Sequence, residues 1–382
     1  MLNVAYSEIM TKGGNRRVFV QRLADNLLSQ LSPVGSFRAR KLQGRILLSS
    51  EKPYDQAEAT AIVARTFGVE QVSSPIEAKA DINDIERAVL SKATELKGKK
   101  IRVSAKRSDK SFPMGSQDIN RVIGASLVEA GCGVDLKNPE ATVFIEILPG
   151  RALISTEKIR GPGGLPVGSS GKLLSLLSGG IDSPVSSWLM MKRGCTVDLL
   201  HLHQSPQNKD VLDTKMKGTV AAIARYSPKP MRFYAAPYTE FYKKSMEMRP
   251  RIELVLFRRF LLLLSNRLAK EHGYLGVVTG DSVGQVASQT LENLFATDEA
   301  ASIPVYRPLS GLNKQEIIDL SLRIGTYDLS IQPYKDCCSL VANKNPSTKV
   351  PLDLAKEAEE EIGMDAIVEK TLEKTEIFDI SA

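Results

Sequence analysis

Within six residues, Ser178-Gly179-Gly180-Ile181-Asp182-Ser183, the chain places two hydroxyls, two glycines and one carboxylate. Glycines keep Cβ atoms away from an approaching anion, and unpaired backbone N–H groups at such a turn form a concave nest for phosphate. The elements around the turn complete the chemistry. Residues 173–177, LLSLL, are an apolar run of the length of a strand buried in a parallel sheet. Asp182 and Ser183 are N-cap types, Pro184 suits a first helical turn, and residues 185–191 supply an apolar helix. The stretch predicts strand, glycine turn, helix, with the positive end of the helix dipole at the nest.

A glycine turn before a helix is also a purely structural device of any doubly wound sheet. Two phosphate motifs are excluded: Gly171-Lys172 lacks the upstream glycine of a Walker A loop and is followed by Leu173, and no G-x-G-x-x-G follows a strand. The order S-G-G-x-D-S resembles the PP-loop of ATP pyrophosphatases, which hold the pyrophosphate of ATP and cleave between its α- and β-phosphates. The resemblance implies that Ser178, Gly179, Gly180, Asp182 and Ser183 bind ATP and that the protein adenylates its substrate.

At 382 residues, 42% hydrophobic and 25% charged, the chain has the composition of a soluble globular protein of two or three domains. No stretch reaches the length of a membrane span, and the greasiest, residues 254–264, is interrupted by Arg258 and Arg259. The N-terminus has no charged start or cleavage site of a signal peptide, so a cytoplasmic location is expected. Four cysteines, two of them adjacent at Cys337 and Cys338, make neither a disulfide framework nor a CxxC metal or redox pair. The net charge of +7 sits on a basic body, while the last thirty residues are acidic. A basic body suggests a polyanionic partner, although such faces are often merely solvated.

In chain order, residues 1–50 read as strand, helix, strand, strand: 2–6, 15–31, 37–41 and 45–50. Between the first strand and the helix lies Thr11-Lys12-Gly13-Gly14-Asn15-Arg16-Arg17. It reads equally as a holder of phosphate backbone, through Lys12, Arg16 and Arg17, and as an Asn-capped loop with solvated arginines. A second unit begins with a helix at 55–67, a strand near 69–73 and a helix at 82–96. An alternating strand at 101–105 runs into Lys106-Arg107-Ser108-Asp109-Lys110; a helix capped by Ser116 and strands at 134–136 and 142–148 follow. Phe112-Pro113 and Asp135-Leu136-Lys137-Asn138-Pro139 make this unit resemble a THUMP domain, an RNA-binding module preceded in one tRNA-modifying family by a small ferredoxin-like domain. The resemblance implies RNA contacts at Lys106, Arg107 and Lys110.

Residues 161–171 have the composition of a linker, but Gly163-Gly164-Leu165-Pro166-Val167-Gly168 also resembles the joint between THUMP and PP-loop in the ThiI family of tRNA 4-thiouridine synthetases. Thr279-Gly280-Asp281-Ser282, the run Gly284 to Leu291, Arg307-Pro308-Leu309 and Asn313 to Ile317 continue that similarity to Asp336-Cys337-Cys338. The implied fold is α/β: a ferredoxin-like α+β domain over 1–53, a THUMP domain over 54–165 and a doubly wound parallel-sheet PP-loop ATP pyrophosphatase domain over 166–382. A strand is expected at 196–201, its end His201-Leu202-His203 lying where such a sheet opens toward ligand. His-x-His is a weak metal signal with only His272 besides, and no metal ligand is assigned. A helix is expected around 252–270 and a buried strand at 276–280. By residue alone, Arg258 and Arg259 read evenly as snorkelling or binding. The resemblance adds Leu176, Leu177, His201, Leu202, Arg258, Gly280 and Gln289 to the nucleotide site. Adjacent cysteines are most often bystanders, yet the family carries a sulfur-handling cysteine in this segment. Alignment from Ile324-Gly325 favours Cys337, and alignment from Asn345-Pro346 favours Cys338.

The resemblance implies a reaction. The N-terminal domains grip a tRNA acceptor end and place uridine 8. ATP and Mg²⁺ meet the loop, with Asp182 as the catalytic carboxylate acting through the metal. The uridine 4-oxygen is adenylated, pyrophosphate leaves, and sulfur replaces the oxygen as AMP departs, with Cys337 or Cys338 handling the sulfur. Many ThiI proteins end in a rhodanese domain, whereas this chain is expected to end on an acidic helix at 353–373. The donor is then expected to be a separate persulfide carrier, such as a cysteine desulfurase, or free sulfide. A role in thiamine biosynthesis, which needs the rhodanese in some relatives, is left open, and a homodimer is implied. Two other classes compete: a PP-loop enzyme adenylating another RNA site or a small molecule, and a THUMP-bearing methyltransferase or bare RNA-binding module. The first leaves the N-terminal 165 residues without a task unless its substrate is RNA, and the second leaves residues 276–291 unexplained.

Overall fold

The structure, a computed structural model, describes residues 1–246, 251–334, 337 and 346–381. Two compact units divide the chain, Met1–Gly164 and Leu165–Ala382.

The first unit holds two five-stranded sheets. In the first, the order is Ile159–Arg160, Gln71–Ser73, Leu2–Ala5, Arg45–Ser49 and Arg38–Leu42, antiparallel throughout. Alternation explains its one-sided burial: Leu2 and Val4 point inward from one strand, Ile46 and Leu48 from its neighbour. Leu23, Leu27 and Leu31 of the helix Arg16–Leu31 and Ala59 and Val63 of the helix Gln56–Arg65 cover that face. The helix starting after Asp55 and the strand ending at Ser73 thus belong to the first sheet's core, not to the separate domain over 54–165 in which they were expected. Hydrophobic periodicity marks an element but does not say which sheet it joins.

The second sheet runs Ile76–Lys79, Arg151–Ser155, Ala141–Leu148, Lys100–Arg107, Gly133–Val134. The helix Ser116–Glu129 packs Ile119, Ile123 and Leu127 into its core at a four-residue spacing. Its cap position is Gly115 rather than Ser116, with no side-chain cap bond. The helix expected at 82–96 is two, Ile82–Leu90 and Ala93–Leu96, broken where Ser91 Oγ bonds back to the Ala88 carbonyl at 2.7 Å. Arg45 and Glu146 join the two sheets of this unit through a largely buried ion pair.

The second unit is built on one six-stranded sheet, ordered Val305–Tyr306, Val277–Val278, Lys172–Leu176, Thr196–His203, Met231–Pro237, Glu376–Ile380. The first five are parallel and the last is antiparallel. Seven of the eight residues of Thr196–His203 are buried, as expected of a central strand covered on both faces. From Lys172–Leu176 the chain builds outward through Thr196–His203 and Met231–Pro237, then returns to place Val277–Val278 on the other side. That reversal opens a crevice at the carboxyl ends of the strands, where ligands bind in such sheets. The expected acidic helix is two, Leu352–Glu361 and Met364–Glu373, separated at Gly363, whose φ of 66° ends the first. Among the described residues, no helix is long and apolar enough to cross a membrane.

Candidate functional site

The strand Lys172–Leu176 delivers the chain into the crevice, and the helix Asp182–Lys192 carries it away. Asp182 and Ser183 do not cap this helix; they occupy its first turn, after Ile181. Ser183 works across the turn instead: its Oγ accepts the Ser178 N–H at 2.9 Å and lies 3.0 Å from Ser178 Oγ. Ser178 Oγ in turn accepts the Gly180 N–H at 3.2 Å. These bonds fold the loop back on its own hydroxyls. A Cβ on Gly179 would meet the Tyr334 ring at 2.6 Å, and one on Gly280 would meet the Ser183 nitrogen at 2.9 Å. At Gly280, backbone packs directly against the helix start, which only glycine permits without a shift.

A cavity of about 390 Å³ lies beside this loop. Its lining includes Leu176, Leu177, Ser178, Asp182, Ser183, His201, Leu202, Arg258, Gly280, Gln289 and Cys337. Gly179 and Gly180 sit in the same loop without forming its wall. Leu200, Leu254, Phe257 and Leu261 make a further, apolar part of the lining. His201 is buried, with Nδ1 2.8 Å from the Leu177 carbonyl and Nε2 2.7 Å from Tyr334 Oη. An imidazole donating from Nδ1 and accepting at Nε2 satisfies both contacts, tying the end of the first strand to the second. Burial pulls the His203 pKa down, and its Nε2 lies 2.8 Å from Asn208 Oδ1. Among the described residues, no group of three or more His, Cys, Asp or Glu side chains is placed to hold a metal.

Two charged groups give the site its electrostatics. Asp182 accepts from Lys314 Nζ at 2.6 Å and from Gln285 Nε2 at 3.0 Å. Lys314 stands in the first turn of the helix Lys314–Ile324, fixed by a reciprocal cap: Glu316 N–H to Asn313 Oδ1 at 3.1 Å, Asn313 N–H to Glu316 Oε2 at 2.8 Å. Sequence reasoning did not select Lys314, though a signal was present. A lysine at a helix N-terminus opposes the dipole and gains from an anionic partner.

Asp281 is the second. It is almost fully buried and accepts from Arg258 Nη2 at 2.5 Å, Thr279 Oγ1 at 2.7 Å, Arg307 Nε at 3.2 Å and Gln289 Nε2 at 3.3 Å. Burial alone would raise its pKa, but Arg258, Thr279 and Arg307 outweigh it and hold the carboxyl below the ordinary range. Arg307 also grips Asp298 at 2.7 Å. Arg258 Nε and Gln289 Oε1 are buried without a hydrogen-bond partner among the described residues. Arg259, in contrast, turns into the core and bonds Glu359 at 2.5 Å and Glu299 at 3.0 Å, so it holds helices together.

Cys337 is 2% exposed and lines the cavity, with Sγ 3.4 Å from the Leu202 carbonyl. Cys338 and Asp336 lie outside the described residues. Burial raises the thiol pKa of Cys132 and of Cys195.

In the first unit, Arg16 Nη2 donates to the Met10 carbonyl at 2.9 Å and Lys12 lies over the Phe19 ring, while Arg17 is exposed. Lys106 and Lys110 are exposed, and Arg107 Nη1 donates to the Phe112 carbonyl at 3.1 Å, bracing its own loop.

Comparison with known proteins agrees with this architecture. The family described as "Thiamine biosynthesis protein (ThiI)" matches residues 168–364, a "ThiI ferredoxin-like domain" matches 1–73 and a "THUMP domain" matches 79–157. A probable tRNA sulfurtransferase of Caldanaerobacter subterraneus subsp. tengcongensis is 36% identical over 95% of each chain. One from Halothermothrix orenii is 37% identical over 99% of this chain and 98% of its own. A crystal structure of a 4-thiouridine synthetase–RNA complex with bound ATP superposes with a TM-score of 0.87 at 29% identity, covering 100% of this chain and 99% of that one. With a family match over more than half its length and relatives similar almost end to end, the chain belongs to the ThiI family.

Proposed function

We propose that this protein is an ATP-dependent tRNA sulfurtransferase that converts uridine 8 to 4-thiouridine. The observation that carries the reading is the shared cavity: a thiol, Cys337, borders the same space as the Ser178–Ser183 loop. Adenylation activates the oxygen on C4 and sulfur then replaces that oxygen at C4, so the two chemistries need one enclosure.

ATP fits the groups present. The apolar lining by Leu176, Leu202 and Phe257 accepts a base, the loop amides and Lys314 suit phosphates, and Arg258 and Gln289 have buried polar atoms awaiting partners. Mg²⁺ commonly takes one or two carboxylates plus substrate phosphates, and Asp182 is the carboxylate at the loop that fits this role. When bound, the ion neutralises phosphate charge. The uridine 4-oxygen bonds to the α-phosphorus as the bond to the bridging oxygen breaks and pyrophosphate leaves. Lys314, poised at Asp182, stabilises charge on the departing group. A persulfide's terminal sulfur or a sulfide then bonds to C4 and displaces AMP. With a persulfide donor the product is a mixed disulfide, which the Cys337 thiolate resolves by attacking the donor's sulfur, leaving a Cys337–donor disulfide and free 4-thiouridine.

The exposed bases Arg17, Lys106 and Lys110, with Lys12, Arg16 and Arg107 around them, form the tRNA grip in this reading. A separate persulfide carrier such as a cysteine desulfurase, or free sulfide, supplies sulfur; the protein works as a homodimer in the cytoplasm. Mass spectrometry of ribonuclease fragments of tRNA incubated with protein, ATP, Mg²⁺ and sulfide tests the proposal. Appearance of 4-thiouridine at position 8 is expected; ATP consumption with unmodified tRNA would refute it.

A further inference from the structure

Asp281 has no part in the chemistry above, yet four side chains converge on its carboxylate within a wall of the cavity. A carboxylate only accepts hydrogen bonds, so whatever lies 3.3 Å from its Oδ1 at the end of Gln289 must be the amide nitrogen. This fixes the orientation of the amide. The carbonyl Oε1 of Gln289 is thereby the free end, and it is buried with no partner among the described residues. An unpaired buried acceptor is unfavourable until something arrives to pair with it.

We propose that Asp281 is a positioning residue for nucleotide recognition: it holds the Gln289 amide so that Oε1 is presented as an acceptor, and the site thereby selects a nucleotide carrying an O–H or N–H donor at that point. The inference rests on the ATP reading of the cavity. Arg258 and Arg307 keep Asp281 ionised and immobile, so the amide is held one way. Three groups of ATP offer such a donor, the 2′- and 3′-hydroxyls of the ribose and the exocyclic amine of adenine. A nucleotide lacking the relevant group leaves Oε1 unpaired and is discriminated against.

The test is titration calorimetry of the full-length protein with ATP, 2′-deoxy-ATP, 3′-deoxy-ATP and purine riboside triphosphate, which lacks the amine. The wild type is expected to bind one analogue about tenfold more weakly than ATP, and that analogue identifies the donor. Gln289→Met, which leaves Asp281 its other three donors, should bring the ratio to within about twofold. Asp281→Asn should do the same, because asparagine presents both an N–H and a carbonyl and no longer holds the amide one way. The Gln289 variant tests the presented acceptor, and if Asp281→Asn does not fold, Asp281→Ser, which removes the carboxylate that holds the amide, takes its place with the same expected ratio. Equal binding of all four nucleotides by the wild type would overturn the proposal, as would either variant folding and keeping the wild-type ratio. Absence of any ATP binding to the wild type would instead bring down the ATP reading and this inference with it.

Discussion

Lys314 Nζ lies 2.6 Å from Asp182 Oδ1, although 132 residues separate them in the chain. The loop carboxylate and the cation are a single unit, so substitutions at either should resemble each other. Asp182→Asn and Lys314→Met are each expected to lower tRNA-dependent pyrophosphate release by about 10²–10³-fold. The double variant should fall little further, because the two act together. Filter binding should show tRNA affinity nearly unchanged in all three, since the expected RNA contacts lie in the other unit.

Cys337→Ser should separate the two half-reactions. Adenylation needs no thiol, so pyrophosphate release should persist at close to the wild-type rate, while 4-thiouridine formation from a protein persulfide should be lost. Normal thiolation by this variant, and failure of Cys338→Ser, would move the role to Cys338.

Lys106→Gln with Lys110→Gln should weaken tRNA binding and lower the slope of log affinity against log salt by roughly 1.4–1.8, at about 0.7–0.9 for each phosphate that the protein no longer neutralises. Arg107 is left intact because it braces the Phe112 turn, and its removal would mix folding with binding. An unchanged slope would show that the two lysines are only solvated.

Gly280→Ala tests the contact between the strand end and the PP-loop helix. The added methyl would lie 2.9 Å from the Ser183 nitrogen and 3.1 Å from its Cα, both backbone atoms. Relief requires the helix start to move, at about 1–3 kcal/mol, visible as a lower urea midpoint. ATP affinity should fall with it, because Ser183 anchors the loop through the Ser178 amide.

Asp281 also sets an acid limit. Its folded pKa lies below the ordinary carboxylate value, so its contribution is complete above that value, about 3.9, and is lost as pH falls from there through the lower folded pKa. Urea midpoints should decline across that window in the wild type and more gently in Asp281→Asn. An equal decline would show that Asp281 titrates alike in folded and unfolded chains.

The loop, its strand and its helix were legible because their chemistry is local: six residues carry the motif and their neighbours carry the periodicity. The cavity draws residues from separate stretches around 176–183, 201–202, 258, 280–289 and 337, and family resemblance rather than spacing connected them. Lys314 and Asp281 went unselected for a physical reason. Each acts through a partner, and nothing local to Asn313-Lys314 or Gly280-Asp281 states that Asp182 or Arg258 stands opposite. Short strands were missed on similar grounds. Ile76–Lys79 and Glu376–Ile380 have only four and five residues, and the neighbouring strand rather than their composition makes them strands.

That last strand pairs from Glu376 to Ile380 along Met231–Pro237, in the one antiparallel register of the second unit's sheet among the described residues. Without it, Met231–Pro237 would present a row of unpaired amides and carbonyls, a template for any other extended chain. Synthesis runs from the N-terminus, so this margin stays open until residue 380 has cleared the ribosome. The interval before that moment is when nascent copies are most exposed to one another, and shaving off the final strand would make the exposure permanent.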